Sequence, residues 1–256
     1  MIPRIVPPLT DLTVLVTRPA EQGASLCAAI AANGGTALSL PAIEIERLAA
    51  APTGGHDLVI FLSVNAVAHG AALVTKAAHT RIAAIGKATA AALAAAGLPV
   101  DVVPATGFDS EALLAHPDLG LSAGSRVLLV RGSGGRELLH ESFTRLGMQV
   151  ETLEVYRRVR PQPDAALLAA IDAAWYDPGI DAVTITSVET WQNLCALLSE
   201  RSLACLKQTT LVVPSRRIVE AASGAGHCGQ AIVATGADDT SIISALARWH
   251  TRARTD

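Results

Sequence analysis

The feature that most constrains this chain is an internal repeat whose pieces occur in permuted order. Asp57-Leu-Val-Ile-Phe-Leu-Ser63-Val64 is matched 124 positions later by Asp181-Ala-Val-Thr-Ile-Thr-Ser187-Val188. Residues 82–97, an apolar run with a Gly86-Lys87 turn and an Ala-rich stretch, parallel residues 211–226 with their Pro214-Ser215 turn. Gly107-Phe-Asp-Ser-Glu-Ala-Leu-Leu then parallels Gly236-Ala-Asp-Asp-Thr-Ser-Ile-Ile. A further piece, Val14-Leu-Val-Thr-Arg18, recurs as Leu128-Leu-Val-Arg131, and in each a glycine (Gly34, Gly147) follows the arginine by sixteen residues. That piece opens one copy and closes the other. Two similar lobes are therefore expected, one of them split in sequence. Lobe one takes residues 12–40 and 165–250, and lobe two takes 55–153. Residues 41–54 and 154–164 cross between them, and 1–11 and 251–256 are read as loose termini.

The repeat also sets the fold class. Short apolar runs at 14–16, 58–62, 82–85, 127–130, 182–185, 211–213 and 231–234 read as buried strands. Most are followed by a turn and an Ala/Leu-rich helical stretch, as at 23–33, 89–96, 136–146 and 241–249. Strands alternating with such helices predict α/β lobes with parallel sheets covered on both faces. Gly34, Gly97 and Gly147 fit helix C-terminal positions, and Asp109 or Ser110 can cap the helix that enters Leu113 and Leu114. Both crossings alternate apolar and polar residues (Ile43-Glu-Ile45-Glu; Val155-Tyr-Arg-Arg-Val159), which predicts a two-stranded β-ladder joining the lobes. A ligand cleft is expected where strand C-terminal ends face each other.

Composition narrows the possible functions. The chain is 50% hydrophobic and only 17% charged, which excludes a disordered chain. A net charge of −3 and 3% aromatic residues give no basis for a nucleic-acid partner. The mean hydropathy is positive, yet the most apolar run, 82–103, is broken by Gly86, Lys87, Gly97, Pro99 and Asp101, so no membrane span is expected. The first eleven residues carry Pro3, Pro7 and Pro8 without an apolar run, and no signal peptide is read there. A cytoplasmic location with reduced thiols is expected. Cys27, Cys195, Cys205 and Cys228 show no C-x-x-C pair, and no metal is expected.

Candidate site residues gather at strand-end turns. Thr17-Arg18-Pro19, Ser63-Val64-Asn65, Gly86-Lys87 with Thr89, Ser187-Val188 and Ser215-Arg216 all follow apolar runs. A hydroxyl at any one of these is ordinarily a helix cap. Their repetition in two lobes favours a ligand with several negative charges. Arg131-Gly-Ser-Gly-Gly-Arg136 matches no phosphate-loop pattern, but a glycine loop flanked by two arginines suits a carboxylate or a phosphate. Tyr156, one of two tyrosines, sits on the second crossing; a Tyr there either packs or offers its hydroxyl to a cleft.

In order and spacing these motifs resemble the uroporphyrinogen-III synthase family, over roughly residues 14–249. The resemblance rests on Thr17-Arg18-Pro19, Pro41-Ala-Ile43-Glu-Ile45, Phe61-Leu-Ser63-Val-Asn65-Ala66-Val67, Ala84-Ile-Gly86-Lys-Ala-Thr89-Ala90, the 131–136 loop, Val155-Tyr156 and Thr186-Ser187. It implies a two-lobed α/β enzyme that needs no cofactor. Such an enzyme closes hydroxymethylbilane, a linear tetrapyrrole with eight carboxylates, to uroporphyrinogen III with inversion of ring D and loss of water. It further implies that Tyr156 assists departure of the hydroxyl and that the strand-end residues, including Arg131 and Arg136, bind substrate. A monomer is expected, receiving its substrate from the preceding enzyme of the pathway. Pro214 and Glu189 depart from the family pattern, and they are what favours the competing reading, a catalytically silent relative with the same fold.

Overall fold

Most apolar runs of three to five residues become strands buried on both faces; the run at 231–234 does not, since residues 231–233 form an edge strand that is half-buried, with Val233 exposed. In the computed structural model, which describes residues 7–105, 107, 109–135, 137–177 and 179–253, the chain begins with β1 (Thr13–Val16), every residue of which is buried. Helix α1 (Ala20–Ala32) and strand β2 (Thr36–Ser39) follow. The helix starts directly after Pro19, earlier than the sequence suggested. Gly23 lies inside it, where a Cβ would meet the Arg18 carbonyl oxygen at 3.4 Å. Gly34 ends the helix with φ +87°, and its repeat counterpart Gly147 has φ +83°. That left-handed turn favours glycine, which accounts for the repeated spacing.

The chain then runs through β3 (Glu44–Arg47), β4 (Thr53–Gly54), β5 (Leu58–Phe61), α2 (Val64–Gly70), β6 (Val74–Thr75) and β7 (Arg81–Ala84). Next come α3 (Lys87–Ala95), α4 (Ser110–Leu114), β8 (Arg126–Gly132), α5 (Leu138–Arg145) and the long β9 (Gln149–Val159). The last part holds α6 (Ala165–Ala174), β10 (Ala182–Thr184), α7 (Val188–Leu197) and α8 (Glu200–Leu206). It ends with β11 (Thr210–Val213), α9 (Arg216–Gly224), β12 (Ala231–Val233) and α10 (Asp239–Ala253). By its contacts the chain divides into two units, Met1–Glu44 with Val159–Asp256, and Ile45–Arg158.

Each unit is built on a five-stranded sheet. The order in unit 1 is β12-β11-β10-β1-β2, with every strand pair parallel. In unit 2 it is β3-β9-β8-β5-β7, with β9, β8, β5 and β7 mutually parallel. Beyond β7, Val102 makes a single parallel bridge to Ala83. Reading Val102, β7, β5, β8 and β9 against β12, β11, β10, β1 and β2 gives the same order. The registers agree as well: Leu58 faces Arg81 and Val127, as Ala182 faces Thr210 and Val14. The permuted sequence repeat is therefore a structural repeat. The crossing strands β3 and β9 are hydrogen-bonded neighbours, but β9 also pairs along its length with β8. The ladder is thus the edge of the unit 2 sheet.

Alternate residues of the strands feed separate cores on the two sheet faces. In unit 1, Leu15, Val183, Leu211 and Val213 pack with Trp175 and Trp191, while Val14, Val16 and Val212 pack with Leu26, Ile30, Ile242 and Leu246. In unit 2, Val59, Phe61, Leu128 and Val130 pack with Val67, Leu93 and Tyr156; Leu58, Ile60, Val127 and Leu129 pack with Leu113, Leu139 and Phe143. Each such side chain stabilises its unit by about 1.5–3 kcal/mol on burial. Helix α2 sits close over β8 because Gly70 has no side chain: a Cβ there would lie 2.6 Å from Val130 Cγ1. Among the described residues, no helix is long and apolar enough to cross a membrane.

Candidate functional site

In unit 2 the strand ends enclose a depression of about 400 Å³. Three sequence candidates, Ser63, Arg131 and Tyr156, line it together. Ser63 follows β5, Arg131 is near the end of β8, and Tyr156 stands beside it on β9. Their adjacency follows from the parallel order β5-β8-β9. Between Arg131 and Gly132 the β8–β9 register shifts, so that Gly132 faces Tyr156, and the Ser133 N–H donates to the Tyr156 carbonyl at 2.8 Å.

The Tyr156 side chain is 4% exposed. Its ring lies over Gly132, where a Cβ would come 2.5 Å from Cζ and 2.9 Å from Oη. The hydroxyl reaches Ser63 Oγ at 3.1 Å, and that same oxygen accepts the Ala66 N–H at 2.9 Å as the cap of α2. The His69 ring stands 6.1 Å away between centroids and is tilted by 39°.

Arg131 is buried, and its guanidinium donates to Glu137 at 2.6 Å and lies 3.6 Å from Glu154. Hydrogen bonding and charge from Arg131 hold the Glu137 carboxyl below the usual glutamate range. Glu137 is the residue just before α5 and gives no side-chain cap to it. Sequence reasoning missed this acid, although it directly follows the glycine loop. Arg158 also lines the depression, as do Asp109 and Ser110 at the start of α4. Asp109 Oδ1 accepts the Ala112 N–H at 2.8 Å; its cap position was legible, its place beside the site was not. Arg136 lies outside the described residues.

The other unit 2 candidates stand around this centre without lining it. Val64 and Asn65 begin α2, Gly86 precedes α3, Lys87 is exposed at the start of α3, and Thr89 is buried within it. In unit 1, Thr17 Oγ1 donates to the Thr184 carbonyl and Pro19 precedes α1. Arg18 is buried, pairing with Asp239 and donating to the Ala237 carbonyl. Ser187 caps α7 through the Thr190 N–H at 3.0 Å and shares a 2.8 Å hydrogen bond with Thr190 Oγ1; Val188 opens that helix. Ser215 precedes α9 without a side-chain cap bond, and Arg216 is exposed at its start. Among the described residues, no group of three or more His, Cys, Asp or Glu side chains is placed to hold a metal ion.

Fold and site together define an α/β protein of two related parallel-sheet units, with hydroxyl and guanidinium side chains gathered around a depression at the strand ends of unit 2. A family model described as "Uroporphyrinogen-III synthase HemD" matches residues 24–244. The chain is similar to the uroporphyrinogen-III synthase of Salmonella typhimurium, 35% identical over 252 residues that cover 92% of this chain and 100% of that one. It is 32% identical to the Escherichia coli uroporphyrinogen-III synthase, with the same coverage of 92% and 100%. Two solved structures share the fold. Uroporphyrinogen-III synthetase from Helicobacter pylori gives a TM-score of 0.58 at 12% identity, covering 94% of this chain and 99% of that one. A mutant uroporphyrinogen III synthase from Thermus thermophilus gives 0.54 at 19%, covering 95% and 99%. The chain belongs to the uroporphyrinogen-III synthase family, whose members are cyclising, lyase-type enzymes of tetrapyrrole biosynthesis.

Proposed function

We propose that this chain converts hydroxymethylbilane into uroporphyrinogen III, with inversion of ring D and loss of water. Family membership supports the reaction. The observation that carries it to particular residues is the buried Tyr156 hydroxyl, held against Ser63 in a depression walled by Arg131, Arg158 and a glycine-rich turn. In this reading Tyr156 gives its proton to the departing hydroxyl, and the C–O electron pair leaves with that oxygen as water. The bilane end becomes a cationic azafulvene facing a phenolate. Opposite charges attract strongly in a site with little water. The substituted carbon of ring D attacks, the spiro intermediate opens and recloses, and the proton released on closure restores the phenol.

Uncatalysed bilane also cyclises, without inversion, so the enzyme must hold the chain ends in one geometry. Backbone and side-chain donors at Thr17, Ser187, Val188, Ser215 and Arg216 in unit 1, and at Val64, Asn65, Gly86, Lys87 and Thr89 in unit 2, are proposed to bind the substrate's carboxylates, while Pro19, which has no N–H to donate, is proposed to contribute through ring contact and its fixed backbone geometry. Arg18, already committed to Asp239, is proposed to shape its turn rather than bind substrate directly. The same reading makes the protein a cytoplasmic monomer fed by the enzyme that produces the bilane.

The deciding experiment is cyclisation of hydroxymethylbilane with separation of product isomers. Isomer III is expected, and product entirely of isomer I refutes the reading. Tyr156→Phe is expected to slow turnover by less than about a thousandfold, ~4 kcal/mol of barrier, because positioning survives without the proton donor.

A further inference from the structure

We infer that Ser63 is a positioning residue for Tyr156: it caps α2 with one lone pair and gives its own proton to the tyrosine hydroxyl, which leaves the phenolic proton for the ligand. This rests on the reading of Tyr156 as proton donor. Ser63 Oγ accepts the Ala66 N–H at 2.9 Å and lies 3.1 Å from Tyr156 Oη. A hydroxyl has one proton and two lone pairs. Were tyrosine the donor, both serine lone pairs would be filled, the serine proton would need another acceptor, and the phenolic proton would be withdrawn from the depression. With serine as donor the phenolic proton points to whatever acceptor occupies the site. The sequence Ala66 N–H, Ser63 O–H, Tyr156 O–H also polarises each bond in one sense. When the proton passes to the departing oxygen, the negative charge left on Oη faces the Ser63 O–H.

The structural repeat contains an internal control. Ser187 occupies the equivalent turn of unit 1 and caps α7 in the same way, through the Thr190 N–H at 3.0 Å. Its hydroxyl, however, pairs with Thr190 Oγ1 at 2.8 Å, on its own helix. The equivalent helix position in unit 2 is Ala66, which has no hydroxyl, and there the serine pairs with a tyrosine ninety-three residues away. Gly132 keeps the ring in reach, because a Cβ in its place would lie 2.9 Å from Oη. One member of the repeat has a self-contained cap, and the other has a cap coupled to the proposed proton donor.

The test is a double-mutant cycle read in kcat and KM separately. Ser63→Ala is expected to lower kcat roughly tenfold, the worth of one hydrogen bond, with KM changed less than about twofold. In a Tyr156→Phe background the same substitution is expected to change kcat by less than about twofold. Ser63→Thr, which keeps the hydroxyl, is expected to recover activity to within about threefold of the parent. Ser63→Asp can still cap α2 but has no proton to give at neutral pH. It is expected to match or exceed the Ala loss while retaining the parent's melting temperature. In chain labelled at tyrosine 13Cζ, Ser63→Ala is expected to move the Tyr156 signal, assigned by its disappearance in Tyr156→Phe, and to leave that of Tyr176 in place. Equal losses in both backgrounds, a loss confined to KM, or a fully active Ser63→Asp overturns the inference. If the parent makes isomer III and the Tyr156 signal does not move, the pairing alone is refuted. A parent making only isomer I refutes the functional reading, and the positioning role with it.

Discussion

Gly132→Ala is the smallest change that tests the geometry of the site. One methyl group is added at a position whose φ does not require glycine, so the effect is purely one of space. The new Cβ would stand 2.5 Å from Tyr156 Cζ and 2.6 Å from Cε2, about 1 Å inside ordinary carbon–carbon contact. The ring cannot yield freely, since Tyr156 packs in the core with Phe61, Val130 and Val155. Overpacking of this kind costs about 1–3 kcal/mol. In a chain of this size that lowers the melting temperature by roughly 2–12 °C. Moving the hydroxyl by about 1 Å breaks its contact with Ser63, and displacement on that scale costs up to about a hundredfold in turnover. Calorimetry and the isomer-resolved cyclisation assay measure the two effects on one sample. Replacing Tyr156 by Ala removes the obstacle, so Gly132→Ala should then cost less than about 0.5 kcal/mol. A normal melting temperature and rate in Gly132→Ala, or the same penalty in both backgrounds, would refute the reasoning.

Three further outcomes are expected. Glu137→Gln removes the carboxylate that engages Arg131, and should lower KM for the bilane by up to about fivefold with kcat little changed; a raised KM contradicts competition between Glu137 and the substrate for that arginine. Arg18→Lys loses the forked contact to Asp239 and the Ala237 carbonyl, and should destabilise the protein by about 1–3 kcal/mol in thermal unfolding, with KM within about twofold; a large rise in KM would make Arg18 a substrate ligand instead. The Glu46 carboxyl is lowered by its hydrogen bond to Arg157, and that of Glu151 by Arg126 and then His56, both relative to the ordinary 4.5. A lowered carboxyl contributes stability that is fully present above its unfolded value and lost as pH falls through the folded one. Melting temperature should therefore hold above about pH 4.5 and drop below it, and Glu151→Gln should make that drop shallower; an unchanged acid limb in the variant rules the pair out as a source.

What could be read from the sequence was whatever is encoded locally. Buried parallel strands leave continuous apolar runs, so β1, β5, β8, β10 and β11 were visible as such. Cap residues such as Asp109 sit within one turn of what they cap. Strand β2 was missed because it is an edge strand whose four residues are all exposed or only partly buried, giving Thr36-Ala-Leu-Ser39 no apolar run to detect. Helix α1 starts three residues before the Ala/Leu-rich stretch at 23–33, directly after Pro19. A Cβ at Gly23 would make only ordinary contact with Arg18, so no close approach explains its place. The arginines depend on tertiary structure. Arg18 meets Asp239 across more than two hundred residues, and Arg131 meets Glu154 through the pairing of β8 with β9. No spacing rule reports either contact, so both arginines read as available to a ligand.

These internal pairs bear on what the site can select for. A site lined with uncommitted arginines would grip a polycarboxylate strongly, but would grip bilane, spiro intermediate and product almost equally. Uniform binding of that kind lowers KM without raising the rate of the chemical step. Arg131 instead holds Glu137 and stands near Glu154, so its charge is largely balanced before any ligand arrives and its place is fixed by the protein. Turnover then depends on contacts that change as the reaction proceeds. The proposed contact of this kind is at Tyr156 Oη, neutral in the ground state and charged once the hydroxyl has left. That is also where the structure departs from its own repeat, with Ala66 in place of Thr190 and the capping serine paired with a tyrosine. In the proposed reading, the asymmetry at Ser63 and Tyr156 places the chemistry in unit 2.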